Sequence, residues 1–346
     1  MDRVRQAVEG LTPGYFALVM ASGIISVGMK LDGFDIISTV LLIICAVGFV
    51  ILLGLTLWRF FAYRSAINHD FLRPDRAFGF FTFVAGTNVL GVRLGMEGAY
   101  LATGILLALA GTVWLLLGYV VPWTAVLGRV ERPVVATANG TWFIWVVASQ
   151  SVAIAAATIE PIVTTGRREL AVLAVMSWSV GIFLYAATAM IVSLRLMLYK
   201  FGPEELTPPY WVSMGALAIT VLAGARIVEM ADAPMVDVTR GLIAGLAVVF
   251  WAFATWLIPV LVAAGWWRHI VRKVPLRYEA ALWSVIFPLG MYAVAGIYLG
   301  EADRLPVVAA IGSAELWVAL GAFALVTVAM LDHLVRTVVL PAKVSH

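Results

Sequence analysis

The sequence predicts an all-α integral membrane protein with ten transmembrane helices. Of its 346 residues, 63% are hydrophobic and only 12% are charged, whereas soluble domains are about half apolar and about a quarter charged. Apolar runs of about twenty residues recur along the chain, and this is the length that a helix needs to cross a bilayer core of roughly 30 Å. We place these segments near 13–29, 36–61, 78–93, 98–121, 139–158, 169–195, 209–229, 239–264, 279–299 and 313–336.

An internal repeat groups the ten segments into five helical hairpins. The odd-numbered segments mix aromatic residues with Gly, Ala, Ser and Thr, and they align without gaps from Gly14, Gly79, Thr141, Pro209 and Ala281. The hairpins lie near 13–61, 78–121, 139–195, 209–264 and 279–336. Repeats of this kind predict one transmembrane domain over 1–346, built as a quasi-five-fold ring. Because polar groups are costly in lipid, the odd-numbered helices should face inward and line a central pore.

One aligned column of the odd-numbered segments contains a single aromatic residue. The column reads Met20, Ala85, Val147, Gly215 and Phe287. Phe287 precedes a proline, whose missing N–H would kink the ninth helix. We therefore predict that Phe287 projects into a narrow axis and acts as a hydrophobic gate. The alternative is that Phe287 packs between helices, as most buried Phe residues do.

The neighbouring columns provide polar groups for a pore lining. Hydroxyl and amide donors can replace water around a small anion, or they can bond between helices instead. The predicted lining consists of Met20, Ser22, Gly23, Ala85, Thr87, Asn88, Val147, Ser149, Gln150, Gly215, Pro288 and Gly290.

Basic residues predict the orientation of the chain and the mouth of the pore. Sixteen of the 23 Lys and Arg residues lie on the side of both chain termini, and seven lie on the other side. By the positive-inside rule both termini are cytoplasmic. Arg93 and Arg226, at the outer ends of the third and seventh segments, either attract anions at the pore mouth or extend to the membrane interface. Glu229 follows Arg226 by three residues and is placed to neutralise it.

The sequence contains no pattern that indicates catalysis. We find no nucleophile–base pair, no phosphate-binding glycine loop and no Cys/His cluster with metal-ligand spacing. We therefore predict no enzyme activity, no cofactor, no metal and no nucleic-acid partner. The centres of the odd-numbered segments also contain no His, Asp, Glu or Lys, which weighs against a proton-coupled carrier.

Together, the five hairpins, the odd-helix lining and the run Phe287-Pro288-Leu289 resemble the tellurite-resistance/C4-dicarboxylate transporter family. This family includes TehA-like proteins, plant slow anion channels, fungal malate permeases and a fungal sulfite efflux protein. The resemblance implies a pore in each subunit, homotrimers, a bacterial inner membrane and a phenylalanine gate at Phe287. The sequence departs from the family in one respect, because only its ninth segment has a mid-span proline among the odd-numbered ones.

The leading hypothesis is a passive anion channel or channel-like uniporter for small anions. The first alternative is a secondary transporter for malate or another C4-dicarboxylate. The second is an efflux protein for oxyanions such as tellurite or sulfite.

Overall fold

The computed structural model describes residues 2–128, 133–231, 233–302 and 304–339. Within these ranges the chain is helical and forms no strand. Arg129, Arg132 and Lys343, which contribute to the predicted charge asymmetry, lie outside the described ranges.

Ten long helices account for most of the described chain. They are α1 (Ala17–Leu31), α2 (Asp35–Ala62), α3 (Phe81–Gly95), α4 (Tyr100–Val121), α5 (Phe143–Ile159), α6 (Arg167–Leu198), α7 (Val212–Val228), α8 (Pro234–Trp266), α9 (Trp283–Ala302) and α10 (Pro306–Leu334). A short 3₁₀ turn precedes each odd-numbered helix. With their terminal turns, all ten are long and apolar enough to cross a membrane, which confirms the predicted ten transmembrane helices.

The odd-numbered helices form the interior and the even-numbered helices surround them. Between 72% and 94% of the most apolar window of each odd-numbered span is buried, against 11% to 33% for the even-numbered spans. Each even-numbered helix packs on the odd-numbered helix of its own hairpin and also on that of the next hairpin. The predicted division into inner and outer helices is therefore confirmed.

The five odd-numbered helices contact one another in a closed cycle. Each odd-numbered helix packs against the next odd-numbered helix along the chain, and α9 packs against α1. At this last seam a Cβ atom placed at Gly290 would lie 2.9 Å from Ile24 Cγ2, so only glycine allows the observed approach. The hydroxyls of Tyr15 and Tyr278 are 2.8 Å apart at one end of the seam. The quasi-five-fold symmetry of this arrangement stays a prediction.

A buried arginine ties the first hairpin to α3. The Arg93 side chain is 0% exposed, and it donates hydrogen bonds of 2.8 Å to the hydroxyls of Ser26 on α1 and Ser38 on α2. Its third contact is an ion pair of 2.8 Å with Glu97. This hydrogen bond from Arg93 holds the pKa of the Glu97 carboxyl below its ordinary value. The two hydroxyl contacts of the guanidinium join α3 to both α1 and α2.

We expect the substitution Arg93→Met to destabilise the fold by about 3 kcal/mol, because it leaves two buried hydroxyls without their charged donor. Thermal unfolding of the purified protein in detergent measures the change. Arg336→Met is the control, because Arg336 pairs with Asp332 at an exposed site, where ion pairs contribute about 0–1 kcal/mol. Equal unfolding temperatures for the two variants would contradict the structural role of Arg93.

Candidate functional site

A narrow cavity lies on the axis of the five odd-numbered helices, toward their C-terminal ends. Its volume is about 50 Å³, and each of the five helices contributes to its wall. Counting each repeat from its aligned start, the wall residues fall mainly at positions 11, 14 and 18. They are Ile24, Val89, Ser151, Ile219 and Met291, then Val27, Val92, Ile154 and Leu222, then Met96, Thr158, Arg226 and Tyr298, with Asn88 from position 10. The repeat alignment therefore has the correct register.

A second cavity, of about 260 Å³, lies at the N-terminal ends of the same helices. Position 1 of all five repeats contributes to it, through Gly14, Gly79, Thr141, Pro209 and Ala281. Three charged residues, Asp75, Arg76 and Glu279, also line it. The ion pair of Arg76 with the buried Asp70, at 2.8 Å, positions the arginine there. The sequence analysis missed this arginine because it precedes the aligned repeat.

The predicted gate column lies between the two cavities. Met20, Ala85, Val147, Gly215 and Phe287 occupy position 7, and all five are buried; Phe287 is 1% exposed. Positions 7, 11, 14 and 18 share one face of a helix, since 3.6 residues make a turn. Position 4 lines the N-terminal cavity and position 11 lines the C-terminal cavity. The stretch of helix between these two positions is roughly 10 Å long, at about 1.5 Å per residue. The position-7 column therefore lies at a depth between the two cavities, and its role as a gate stays a prediction.

The predicted lining residues at position 9, and Gln150 at position 10, face away from the axis. Ser149 accepts a hydrogen bond of 2.9 Å from Trp114 Nε1 on α4, and Gln150 donates one of 3.1 Å to the Trp178 carbonyl on α6. Ser22 and Thr87 donate to carbonyls of their own helices. Position 9 is rotated by about 200° from position 7 on a helix of 3.6 residues per turn. The prediction that these four residues line the pore is corrected accordingly.

Glycines of the predicted lining mark close helix contacts. A Cβ atom at Gly23 would lie 2.5 Å from Val89 Cγ1, and one at Gly215 would lie 2.8 Å from Pro288 Cγ. Gly290 has the same role against α1. Among the predicted polar lining residues, Asn88 is the one that reaches the C-terminal cavity. Ser151, beside it, was missed, although its place on the same helix face as position 7 could have identified it.

The two arginines predicted for the pore mouth have different environments. Arg226 lines the C-terminal cavity, where its side chain is 24% exposed and pairs with Glu229 at 2.9 Å. Its guanidinium also lies over the Tyr298 ring, 5.4 Å from the centroid. Arg93, in contrast, points into the α1–α2–α3 contact. The prediction of a mouth role for Arg93 is therefore corrected, since its charge is enclosed by protein.

Among the described residues, few charged side chains line the two cavities. The two cavities share an axis, and the wall of the C-terminal cavity is mostly apolar, with a cation near its end. Within the described ranges, no three His, Cys, Asp or Glu side chains approach one another as metal ligands would.

Comparison of the sequence with known proteins identifies a family. Residues 10–331 match the family described as voltage-dependent anion channel. An uncharacterized membrane protein of Mycobacterium tuberculosis is 61% identical over 164 residues, which are 47% of this chain and 83% of the relative. An uncharacterized transporter of Methanocaldococcus jannaschii is 24% identical over 317 residues, covering 90% of this chain and 89% of the relative. The family match confirms the resemblance found in the sequence, and the chain belongs to the voltage-dependent anion channel family.

Proposed function

We propose that this protein passes small anions along the axis of its five odd-numbered helices, and that Phe287 closes this path. The observation that carries the proposal is the buried layer at position 7. It lies at a depth between two cavities, and residues from all five repeats line each of them. An apolar constriction of this kind blocks ions by steric exclusion and by dewetting.

Phe287 is the residue of the layer best suited to open it. It is the only aromatic member, so its side chain fills more of the axis than any other. Pro288 cannot donate a backbone hydrogen bond to the Ser284 carbonyl one turn earlier, which weakens the helix at this point. Pro288 also rests against Gly215, so α7 supports the backbone beside the gate. Rotation of the Phe287 side chain is then the simplest opening movement.

The cavity dimensions favour small anions as substrates. A volume of about 50 Å³ holds a few water molecules, at roughly 10–15 Å³ for each. Malate and other C4-dicarboxylates, the alternative substrates implied by the family resemblance, need a wider path. Arg226 lines the C-terminal cavity, and because Glu229 pairs with it, its guanidinium attracts an anion at short range, inside the cavity.

The assembly and orientation that we propose come from the family resemblance and the charge asymmetry. The protein is a homotrimer in a bacterial inner membrane, with both termini in the cytoplasm, and each subunit has its own path. On this orientation Arg226 faces the external side, and Arg76 faces the cytoplasm.

We expect Phe287→Ala to raise anion conductance by at least about tenfold, which corresponds to a barrier lowered by about 1.4 kcal/mol. Planar-bilayer recordings with chloride and nitrate measure the change against the wild-type protein. Phe143→Ala is the matched control, because Phe143 is a buried phenylalanine of α5 that packs on Tyr185 of α6. If both variants conduct like the wild type, Phe287 is not the gate.

We expect Arg226→Gln in the Phe287→Ala background to reduce anion current about two- to fivefold at low salt, with a smaller effect at high salt where charges are screened. Arg168→Gln is the control, because Arg168 is an exposed residue at the same end of the protein but on outer helix α6. Equal loss of current in the two variants would point to a general surface-charge effect and would remove Arg226 from the pathway.

A further inference from the structure

The odd-numbered helices meet through a repeated contact that places one unusual side chain beside the C-terminal cavity. Position 10 of one helix packs against position 11 of the next, as Gly23 packs against Val89. Between α3 and α5 the corresponding pair is Asn88 and Ser151. Both residues are buried, and both line the cavity. A polar amide therefore occupies a place that holds glycine in two other repeats.

The hydrogen bonds of this pair determine how the amide is oriented. The Ser151 hydroxyl donates its single proton to the Ala148 carbonyl at 2.7 Å. It can therefore only accept from Asn88, and Asn88 Nδ2 donates to it at 2.9 Å. This network assigns the nitrogen of the amide to the serine side. The carbonyl oxygen of Asn88 is consequently directed elsewhere.

That carbonyl oxygen has no hydrogen-bond partner. Asn88 Oδ1 is buried and accepts no bond from any described group. Buried polar atoms are nearly always paired, so an unpaired one that lines a cavity marks a place for a hydrogen-bond donor, either a ligand or a water molecule. Position 10 follows the gate layer at position 7 by one turn, about 5 Å along the axis. Movement of Phe287 would thus make Oδ1 one of the first polar atoms beyond the gate.

We propose that Asn88, held by Ser151, selects small monovalent oxyanions that retain an O–H group. This inference rests on the proposed function and specifies its substrate class. Oδ1 is the negative end of the amide dipole, so it disfavours an anion that has only acceptor atoms. An anion with one O–H can donate that proton to Oδ1 and direct its charged oxygens elsewhere. A single such contact is weak enough to let the ion leave, as conduction requires.

Bicarbonate and nitrate form the probe pair for this proposal. Both are small, planar and monovalent, but only bicarbonate carries an O–H group. Bi-ionic reversal potentials of Phe287→Ala in planar bilayers give the permeability of bicarbonate relative to nitrate. Neutral carbon dioxide also crosses the bilayer without carrying current, so strong pH buffering and stirred solutions are used to hold the bicarbonate gradient constant.

We expect Asn88→Leu in this background to lower the bicarbonate-to-nitrate permeability ratio by about tenfold, because the acceptor is lost. Ser151→Ala should lower the ratio as well, since the released amide can turn its NH₂ group toward the path. Ser177→Ala on α6 is the control, because its hydroxyl is buried and bonded to its own helix. Nitrate current in each variant verifies that the protein is folded and open.

An unchanged ratio in both Asn88→Leu and Ser151→Ala would overturn the proposal and assign Oδ1 to a trapped water molecule. If Phe287→Ala passes neither ion, the proposed function fails. The role of Asn88 is then tested by the thermal unfolding of Phe287→Ala in the presence of bicarbonate or nitrate. A stabilisation of Phe287→Ala by bicarbonate but not by nitrate, abolished by Asn88→Leu, would support the site. Equal stabilisation by the two anions, or none by either, would overturn it.

Discussion

Whether five helical hairpins enclose an axis or form an open row is decided at one seam, where α9 meets α1. The bilayer core offers no water, so hydroxyl and amide groups on the inner helices must find partners within the protein. Because the cycle of inner helices is closed, each inner helix contacts two other inner helices and is covered by outer helices. Gly290 allows the close approach to Ile24 that completes the cycle. The two cavities, the position-7 layer and the position of Arg226 all depend on this closure.

Few polar groups of the inner helices face the axis. Most hydroxyls bond to their own backbone, and Gln150 and Ser149 bond to outer helices. The C-terminal cavity is left with an amide, two hydroxyls, a phenol and one arginine in a mostly apolar wall. On the proposed function, an ion that crossed this path would lose water and gain little in return, so brief contacts at Asn88 and Arg226 would influence which ion passes.

Sequence patterns predicted the depth of residues along the inner helices but not the direction in which their side chains point. The ungapped alignment of the repeats placed Phe287 in the layer between the cavities, because residues at equal repeat positions occupy equal depths in a ring. The same alignment did not assign rotation about each helix axis. Ser22, Thr87 and Ser149 share a depth with the gate region but face outward, and Asn88 remains as the polar residue at the cavity wall. Arg93 also has the expected depth, but its charge is satisfied by Ser26, Ser38 and Glu97.

The sequence by itself determined the number of helices, their pairing into hairpins and the division into inner and outer layers. These features follow from hydropathy and repeat length, which are local properties of the chain. Only the tertiary structure decided which face of each inner helix meets the axis and which polar atoms are paired. Those outcomes depend on contacts between residues far apart in the chain, such as Asn88 with Ser151 and Gly290 with Ile24, and no local pattern encodes them.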